Sequence, residues 1–459
     1  MKNTEFATQY PRVYFCGIGG VSMSGLALML KKDGVTVAGS DVKPSKATQM
    51  LEDAGIPVFY GQKAENLSGP WDLFVYTAAI HPDNPEFAEA QKRGIPPMTR
   101  AALLGQIMAQ YPQSIGVAGT HGKTTTTGMM SHILLAAQTD PTITIGGFLP
   151  KLDGNTRIGD SAYFLAEACE YTDSFLELSP LVEIILNMEA EHLDYFKDMD
   201  HVRASFHAYA AKAPQNGFVV VSDQIPGYRD IVAGIAAQAV TVGSPAADFY
   251  AESITVDRQG HASFTLMHRG QALCPVTLGV PGLHNVGNAV AALAAAHCLG
   301  LPLDAAAQGL AAFTGVDRRF EYKGECNGAT VIEDFAHHPT ELAATLATAQ
   351  LIPHHTLWCA FQPHTYSRTR DFLDNFAKVL SQADHVLLAD IYAARETNDG
   401  TIHSKDLAQR INECGGHGEY LGDISAISDS QKARVKPGDL VLVLGAGDIY
   451  QLSQTLILR

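Results

Sequence analysis

A glycine-rich run, Gly119–Thr126, directly follows the apolar stretch Ser114–Ala118, and this succession constrains the fold more than any other feature of the sequence. It predicts a strand, a tight turn and a helix that begins near Lys123. Such a turn points backbone N–H groups and a helix N-terminus at one position, which favours a phosphate group. Lys123 would neutralise the outer phosphates of a nucleotide, and the hydroxyl of Thr124 would ligate Mg²⁺.

The spacing of this loop departs from the strict phosphate-loop pattern, in which four residues separate the first glycine from the Gly-Lys pair. Five residues separate Gly116 from Gly122 here, and two separate Gly119 from Gly122. A structural turn that carries an exposed lysine is the alternative. We favour a variant loop that binds a nucleoside triphosphate.

The composition of the 459-residue chain limits the kind of protein it can be. This length exceeds what one hydrophobic core supports and predicts several domains. A net charge of −16 argues against non-specific binding to nucleic acid or to anionic membranes. The seven cysteines are scattered without a C-x-x-C pair, which is typical of reduced thiols, and no apolar run reaches about 18 residues. We expect a soluble cytoplasmic protein, a monomer or homodimer, with no membrane insertion and no nucleic-acid partner.

Apolar strand-like runs alternate with helical patterns along the whole chain. This alternation predicts an α/β fold with mostly parallel sheets. Shifts in the pattern near residues 110 and 316 indicate three domains of unequal size, which we place at residues 1–109, 110–315 and 316–459.

A second glycine-rich turn, residues 17–25, lies between the first predicted strand and the first predicted helix. A dinucleotide-binding fingerprint is expected at such a place, and Asp41 stands where the ribose-binding acid would be. The third glycine of that fingerprint is replaced by Ser22, so an NAD site is the weaker interpretation. We favour the diphosphate of another ligand, and a purely structural turn is the remaining alternative.

Two acidic motifs follow predicted parallel strands. The sequence Glu-Ala-Cys-Glu at 167–170 follows the strand Tyr163–Ala166, and Asn-Met-Glu-Ala-Glu-His at 187–192 follows the strand Glu183–Leu186. The carboxyl ends of these strands lie on the side of the sheet where the phosphate loop is expected. A carboxylate and a histidine there would hold Mg²⁺ against the phosphates, although surface carboxylates and a structural histidine remain the alternative.

Three further motifs lie in the second half of the chain. His284-Asn285 precedes an alanine-rich helix, and the asparagine would either read an adenine edge or cap that helix. The segment 333–339 places an acid and two histidines after a strand, and the segment 361–370 ends in arginines that could grip a carboxylate. Taken singly, each motif is as compatible with a structural role as with a functional one.

Taken together, these motifs resemble the Mur ligases, the ATP-dependent amide ligases of peptidoglycan synthesis. The similarity covers essentially the whole chain and is carried by G-I-G-G-x-x-M-S-G, G-T-H-G-K-T-T-T, E-A-C-E-Y, the His284–Asn285 pair, D-x-A-H-H-P-T-E and F-Q-P-H-x-Y-S-R-T. The resemblance implies a Rossmann-like N-terminal domain that binds a UDP-sugar, a central phosphate-loop ATPase domain, and a Rossmann-like C-terminal domain that brings the amino acid.

The resemblance also implies a role for individual residues. The UDP part would be bound by Gly17, Gly19, Gly20, Met23, Ser24, Gly25 and Asp41. ATP would be bound by Gly119, Thr120, His121, Gly122, Lys123, Thr124, Thr125, His284, Asn285, Arg319 and Asp334. Thr124 and Glu170 would hold one Mg²⁺ and His192 a second. The amino acid would be received by His337 and Arg368, and Lys123, His192 and His337 would be catalytic.

The chain departs from the family pattern at two positions. Phe335 stands where the related ligases usually carry a tyrosine beside the amino-acid pocket, and Thr365 stands where some carry an arginine. Several sister ligases use a carbamylated lysine shortly after the acidic histidine motif, whereas residues 204–208 contain no lysine. This difference favours the member that adds L-alanine to UDP-N-acetylmuramate. A ligase that attaches a preformed tripeptide to the same sugar is the nearest alternative, followed by an NAD-dependent oxidoreductase and a nucleotide-switched binding protein.

Overall fold

A computed structural model of the chain describes residues 4–77, 79–192, 195–394 and 396–457. Three sheets of five, ten and six strands organise these residues, with helices between many of the successive strands. The predicted three-domain α/β architecture with mostly parallel sheets is confirmed. No helix within the described ranges is both long and apolar enough to cross a bilayer.

The N-terminal sheet has the order β3-β2-β1-β4-β5, and all of its neighbouring strands are parallel. The first strand is an uninterrupted apolar run whose side chains from Val13 to Cys16 are fully buried, as expected for a strand covered on both faces. The strands are β1 Arg12–Cys16, β2 Thr36–Asp41, β3 Val58–Tyr60, β4 Leu73–Tyr76 and β5 Pro97–Thr99. The helices are α1 Thr4–Gln9, α2 Val21–Lys32, α3 Lys46–Asp53, α4 Pro85–Lys92 and α5 Arg100–Met108.

The central sheet has the order β12-β11-β10-β6-β9-β7-β8 and is extended beyond β12 by β13, β14 and β15. Its core is parallel, while β7 and β8 pair antiparallel. The strands are β6 Gln113–Ala118, β7 Thr142–Leu149, β8 Gly154–Arg157, β9 Tyr163–Glu167, β10 Val182–Ile185, β11 Phe218–Ser222, β12 Gln238–Gly243, β13 Phe249–Val256, β14 His261–His268 and β15 Gln271–Pro281. The helices are α6 Lys123–Ala136, α7 Met199–Ala210, α8 Tyr228–Ile231, α9 His284–Cys298 and α10 Leu303–Ala312.

The C-terminal sheet has the order β16-β17-β21-β18-β19-β20, in which only the β16–β17 pair is antiparallel among the described residues. The strands are β16 Glu321–Cys326, β17 Ala329–Asp334, β18 Leu357–Phe361, β19 His385–Ala389, β20 Gly418–Gly422 and β21 Leu440–Leu444. The helices are α11 Pro339–Leu351, α12 Tyr366–Asp371, α13 Leu373–Leu380, α14 Ser404–Glu413, α15 Ile424–Arg434 and α16 Tyr450–Ile457.

The contacts between residues divide the chain into two compact units. The first unit contains the chain up to Glu252 together with Thr265–Val276 and Gly287–Ala312, and the second contains Ser253–Phe264, Thr277–Val286 and the chain from Phe313 onward. The first unit therefore includes both the N-terminal sheet and the parallel core of the central sheet. The domain boundaries at residues 109/110 and 315/316 stay a prediction.

Candidate functional site

The phosphate loop connects β6 to α6, as its sequence predicts. Gly122 precedes the first residue of α6 and has a φ of +81°, and Gly119 has a φ of +137°. A Cβ atom at Gly119 would lie 3.0 Å from the Cβ of Leu186 and 3.2 Å from the backbone nitrogen of Asn187. Both glycines are therefore required by backbone conformation, and Gly119 also by the close approach of the segment after β10.

Asn187 holds this loop through its backbone and its side chain. Its Oδ1 accepts a hydrogen bond from the backbone N–H of His121 at 2.7 Å, and its Nδ2 donates to the carbonyl of His121 at 2.9 Å. The backbone N–H of Thr120 donates to the carbonyl of Asn187 at 3.3 Å, and the Thr120 hydroxyl accepts from the N–H of Glu189 at 2.9 Å. The loop is thus shaped by protein contacts alone. Asn187 begins the acidic motif 187–192, but the sequence alone does not indicate this role.

Lys123 is paired with Glu170. The Nζ of Lys123 lies 3.0 Å from Oε1 and 2.9 Å from Oε2 of Glu170, and it donates to the carbonyls of Gly119 at 2.5 Å and Thr120 at 3.0 Å. Glu170 is 3% exposed. Burial acts to lower the pKa of Lys123, but the charge of Glu170 outweighs it together with smaller contributions, so the pKa is raised. The lysine is therefore charged and curled over the turn that should receive the phosphates.

Thr124 contacts a second carboxylate at the end of β9. Its hydroxyl donates to Oε2 of Glu167 at 3.2 Å, while Oε1 of Glu167 accepts from the backbone N–H of Gly146 at 2.6 Å. Glu167 therefore connects the first turn of α6 to β7. The sequence places Glu167 in an acidic motif but does not distinguish its role from that of Glu170.

A group of oxygen and nitrogen donors beside the loop could hold a divalent cation. One ligand atom each from Glu170, Glu191 and His192 lie within 4.8 Å of one another, and Nε2 of His192 is 3.8 Å from Oε1 of Glu170. The ring of His192 packs on Tyr171 at a centroid distance of 4.6 Å. Two carboxylates and an imidazole fit Mg²⁺ or Mn²⁺ better than a soft metal because oxygen donors dominate. Glu191 is an addition to the predicted ligands.

The glycine turn of the N-terminal domain is held by β2. The backbone N–H groups of Gly17 and Ile18 donate to the carbonyl of Ser40 at 2.9 and 2.8 Å. Asp41 accepts from the N–H of Gly19 at 2.8 Å and from that of Val42 at 2.7 Å. A Cβ at Gly19 would lie 2.8 Å from Oδ2 of Asp41, so glycine is needed for this approach. Asp41 thus shapes the turn in this structure, and its contact with a nucleotide stays a prediction.

The residues after this turn face inward. Gly20 directly precedes α2, while the side chains of Met23 and Ser24 are each 1% exposed, and Met23 belongs to the hydrophobic core. A Cβ at Gly25 would clash with the hydroxyl of Thr156 in β8. Ligand contact by Gly20, Met23, Ser24 and Gly25 stays a prediction.

Asp334 ends β17 in the second unit and is almost fully buried. Its carboxylate accepts from the backbone N–H groups of Phe320 and Ala336, each at 2.7 Å. Burial raises the pKa of Asp334 to about 6, although the charge of Arg319 acts in the opposite direction. The guanidinium of Arg319 lies over the ring of Phe335 at 5.0 Å, and its Nη1 is 4.0 Å from Glu341. The structure thus brings both predicted nucleotide ligands of this domain to one edge of its sheet.

The predicted amino-acid ligands converge through a histidine that was not assigned a role. The rings of His337 and His364 are 5.5 Å apart, and Nη1 of Arg368 is 3.1 Å from Nδ1 of His364. Nδ1 of His337 lies 3.0 Å from the carbonyl of Phe335 and 3.2 Å from Glu341. Because β17 and β18 both flank β21, the segments that follow them reach the same edge of the sheet. Thr365 precedes α12 with a φ of +68°.

His284 and Asn285 begin α9. The Nδ2 of Asn285 donates to the carbonyl of Pro281 at 2.7 Å and its side chain is 6% exposed, whereas His284 is exposed. This contact ties the start of α9 to the segment before it and is not a helix cap, in which the side-chain oxygen would accept from a helix N–H. Their contact with adenine stays a prediction.

Comparison with known proteins matches three family models in succession along the chain. They are the Mur ligase family catalytic domain at residues 12–112, the Mur ligase middle domain at 117–296 and the Mur ligase glutamate ligase domain at 318–447. A UDP-N-acetylmuramate–L-alanine ligase of Agathobacter rectalis is 53% identical over 446 residues, which cover 97% of each chain.

Two solved structures share this architecture. The UDP-N-acetylmuramate–alanine ligase of Thermotoga maritima is 28% identical with a TM-score of 0.81, over 97% of this chain and 98% of that one. The murein peptide ligase of Psychrobacter arcticus is also 28% identical, with a TM-score of 0.70 over the same shares of the two chains. These similarities extend over all three sheets and both glycine turns, and they agree with the resemblance found in the motifs. The chain belongs to the Mur ligase family, whose members are ATP-dependent ligases.

Proposed function

We propose that this protein uses ATP to join L-alanine to the lactyl carboxylate of UDP-N-acetylmuramate, releasing ADP and phosphate. The observation that carries the proposal is the buried Lys123–Glu170 pair at the phosphate loop, beside further side chains that could ligate a divalent cation. The name of the relative that is 53% identical over nearly the whole chain supports the choice of substrates. We assign the UDP-sugar to residues 1–109, ATP to residues 110–315 and the amino acid to residues 316–459.

The first step activates a carboxylate, whose oxygen is otherwise too poor a leaving group for amide formation. A lactyl oxygen attacks the γ-phosphorus of ATP in line, the bond to the bridging oxygen breaks, and ADP leaves with its electron pair. Both reactants are anionic, so the charge of Lys123 is needed where the phosphoryl oxygens gather. Thr124, Glu170, Glu191 and His192 would hold Mg²⁺, which supplies further neutralisation of those oxygens when bound.

The second step forms the amide. The neutral amine of L-alanine attacks the acyl carbon, inorganic phosphate leaves, and the nitrogen loses a proton. We assign the alanine carboxylate to Arg368, whose planar guanidinium suits a carboxylate. Nδ1 of His337 lies 3.0 Å from the carbonyl of Phe335, and we propose the other ring nitrogen, Nε2, as the acceptor of the amine proton.

The test is release of phosphate from ATP in the presence of Mg²⁺ and UDP-N-acetylmuramate. We expect release to require L-alanine and to be accompanied by the UDP-N-acetylmuramoyl-alanine product in equal amount. Release that depends on L-alanyl-γ-D-glutamyl-meso-diaminopimelate instead would replace the proposal with the tripeptide ligase. Reduction of NAD without phosphate release would contradict the assignment of a ligase altogether.

A further inference from the structure

Arg100, the first residue of α5, carries a positive charge that no carboxylate neutralises within the described ranges. Its Nη1 donates to the hydroxyl of Ser22 at 3.2 Å. The side chain is largely withdrawn from solvent, and burial lowers its pKa. The titratable side chain whose charge would act on it is the Cys169 thiol, but burial raises the pKa of that thiol, so it is uncharged at neutral pH and does not neutralise the arginine.

This arrangement is unfavourable for the protein alone. A cation in the first turn of a helix opposes the helix macrodipole, and a desolvated charge without a counter-charge costs further free energy. Arg12 in the same domain shows the usual solution, because its guanidinium makes two hydrogen bonds of 2.6 and 2.8 Å with the carboxylate of Asp72. The missing negative charge at Arg100 indicates that a ligand supplies it.

The hydrogen bond to Ser22 indicates which group that is. Ser22 lies in the first turn of α2, directly after the glycine turn that Ser40 and Asp41 hold in place. It also replaces the third glycine of a dinucleotide fingerprint, and a glycine there could not hold the guanidinium. The arginine is therefore fixed beside the turn by the same residue that departs from the fingerprint.

We propose that Arg100, held by Ser22, binds the diphosphate of the UDP-sugar. This inference rests on the proposed function, because it names a residue that receives the nucleotide-sugar substrate. The planar guanidinium can donate two parallel hydrogen bonds to phosphate oxygens. Because the net charge of the protein is −16, the positive charge that attracts an anionic ligand must come from local side chains such as this one. Diphosphate binding would supply the counter-charge that the free protein lacks.

The experiment measures the affinity of UDP and of UDP-N-acetylmuramate by calorimetry for the wild type and for Arg100→Gln. We expect the variant to weaken both ligands by the same factor, roughly 10- to 100-fold, as charge-assisted hydrogen bonds are lost. Arg93→Gln is the matched control, since Arg93 is an exposed arginine of the same domain that donates to the carbonyl of Gly69. This control should change either affinity by less than about twofold.

Three outcomes would overturn the inference. The first is an unchanged affinity of Arg100→Gln for UDP. The second is a loss of affinity for UDP-N-acetylmuramate alone, which would assign Arg100 to the lactyl carboxylate. The third is an equal loss of affinity in Arg93→Gln. A structural role predicts a lower melting temperature in Arg100→Gln, whereas we expect an unchanged or higher one in the absence of ligand.

A conservative variant keeps the test valid if Arg100→Gln does not fold. Arg100→Lys retains the charge but loses the fork, so we expect an affinity for UDP that is reduced by roughly 3- to 10-fold. Wild-type affinity in this variant would contradict bidentate binding. If the wild-type protein itself binds UDP but not UDP-N-acetylmuramate, the proposed function fails while the role of Arg100 toward the diphosphate stands.

Discussion

The two glycine turns of the first unit bring a cation to a helix N-terminus in different ways. In the central domain, Lys123 belongs to the helix that follows the turn and is paired with the buried carboxylate of Glu170. In the N-terminal domain, Arg100 comes from another helix, donates a hydrogen bond to the neutral hydroxyl of Ser22 and has no carboxylate partner among the described residues. Both turns are held by neighbouring strand ends, through Asn187 and Asp41.

The difference concerns what each site needs from its ligand. In the central turn, Lys123 is already paired with the carboxylate of Glu170 in the free protein. An incoming triphosphate therefore has to compete with Glu170 for the charge of the lysine. Beside the N-terminal turn, Arg100 has no carboxylate partner among the described residues, so an anion that pairs with it stabilises the folded protein when it binds. We therefore expect UDP to raise the melting temperature of the wild type more than that of Arg100→Gln.

The largest effect is expected from Lys123→Ala. Without this charge the developing charge on the γ-phosphoryl group is no longer neutralised, and we expect turnover to fall by roughly 10³-fold or more. UDP affinity, measured by calorimetry, should stay within about twofold of the wild type because the N-terminal turn is unaffected. Activity near the wild-type level would contradict the role of the loop, and loss of UDP binding would show that the two turns are not separate.

Arg368→Gln extends the comparison to the amino-acid site. Loss of a guanidinium–carboxylate pair should raise the KM for L-alanine by roughly 10- to 100-fold. The KM for UDP-N-acetylmuramate and for ATP should change little in the same steady-state assay. An unchanged KM for L-alanine would assign the carboxylate to another arginine, and Arg370→Gln is the matched control on the same helix.

Asp334 lies between these two cases. The charge of Arg319 lowers the pKa of its carboxyl group, but burial raises it by more. Its folded-state pKa of about 6 lies above the usual value, so its stabilising contribution is complete below about pH 4 and is lost as the pH rises through 6. Asp334→Asn should remove this dependence. Between about pH 4.5 and 7.5 we expect the unfolding free energy of the wild type to fall by roughly 1–3 kcal/mol relative to the variant, in urea titrations. A constant difference would contradict the raised pKa.

Ser22→Ala should have the smallest effect. The variant leaves Arg100 in place but removes the hydroxyl that orients it, and we expect UDP affinity to fall by roughly 2- to 5-fold in the calorimetric assay. Ser22→Thr retains a hydroxyl and serves as the control. A loss as large as that of Arg100→Gln would show that Ser22 itself binds the ligand.

The sequence predicts the parts of this structure that depend on local pattern. The strands predicted at Tyr163–Ala166 and Glu183–Leu186 and the helix predicted to begin near Lys123 are confirmed within one or two residues. Continuous apolar runs and glycine turns specify buried parallel strands and helix starts regardless of the rest of the chain. The antiparallel β7–β8 pair and the strands β13–β15 were not predicted, because their pairing depends on contacts between distant segments.

The same distinction applies to the site. Motifs reveal Lys123 and Glu170, since each lies in a segment that follows a strand, but they do not reveal that the two form an ion pair. Asn187, Glu167 and His364 stand inside quoted motifs, yet only the folded chain shows which backbone or side-chain atoms they contact. Arg100 lies in no motif, and its role depends on a hydrogen bond between two helices that are far apart in sequence.

The most direct test of the two-turn account is a crossed titration of Lys123→Ala and Arg100→Gln with UDP and with MgATP separately, by calorimetry. The account predicts that Lys123→Ala loses affinity for MgATP and keeps that for UDP, and that Arg100→Gln shows the opposite pattern. Loss of the same ligand in both variants, or of both ligands in either one, would contradict it.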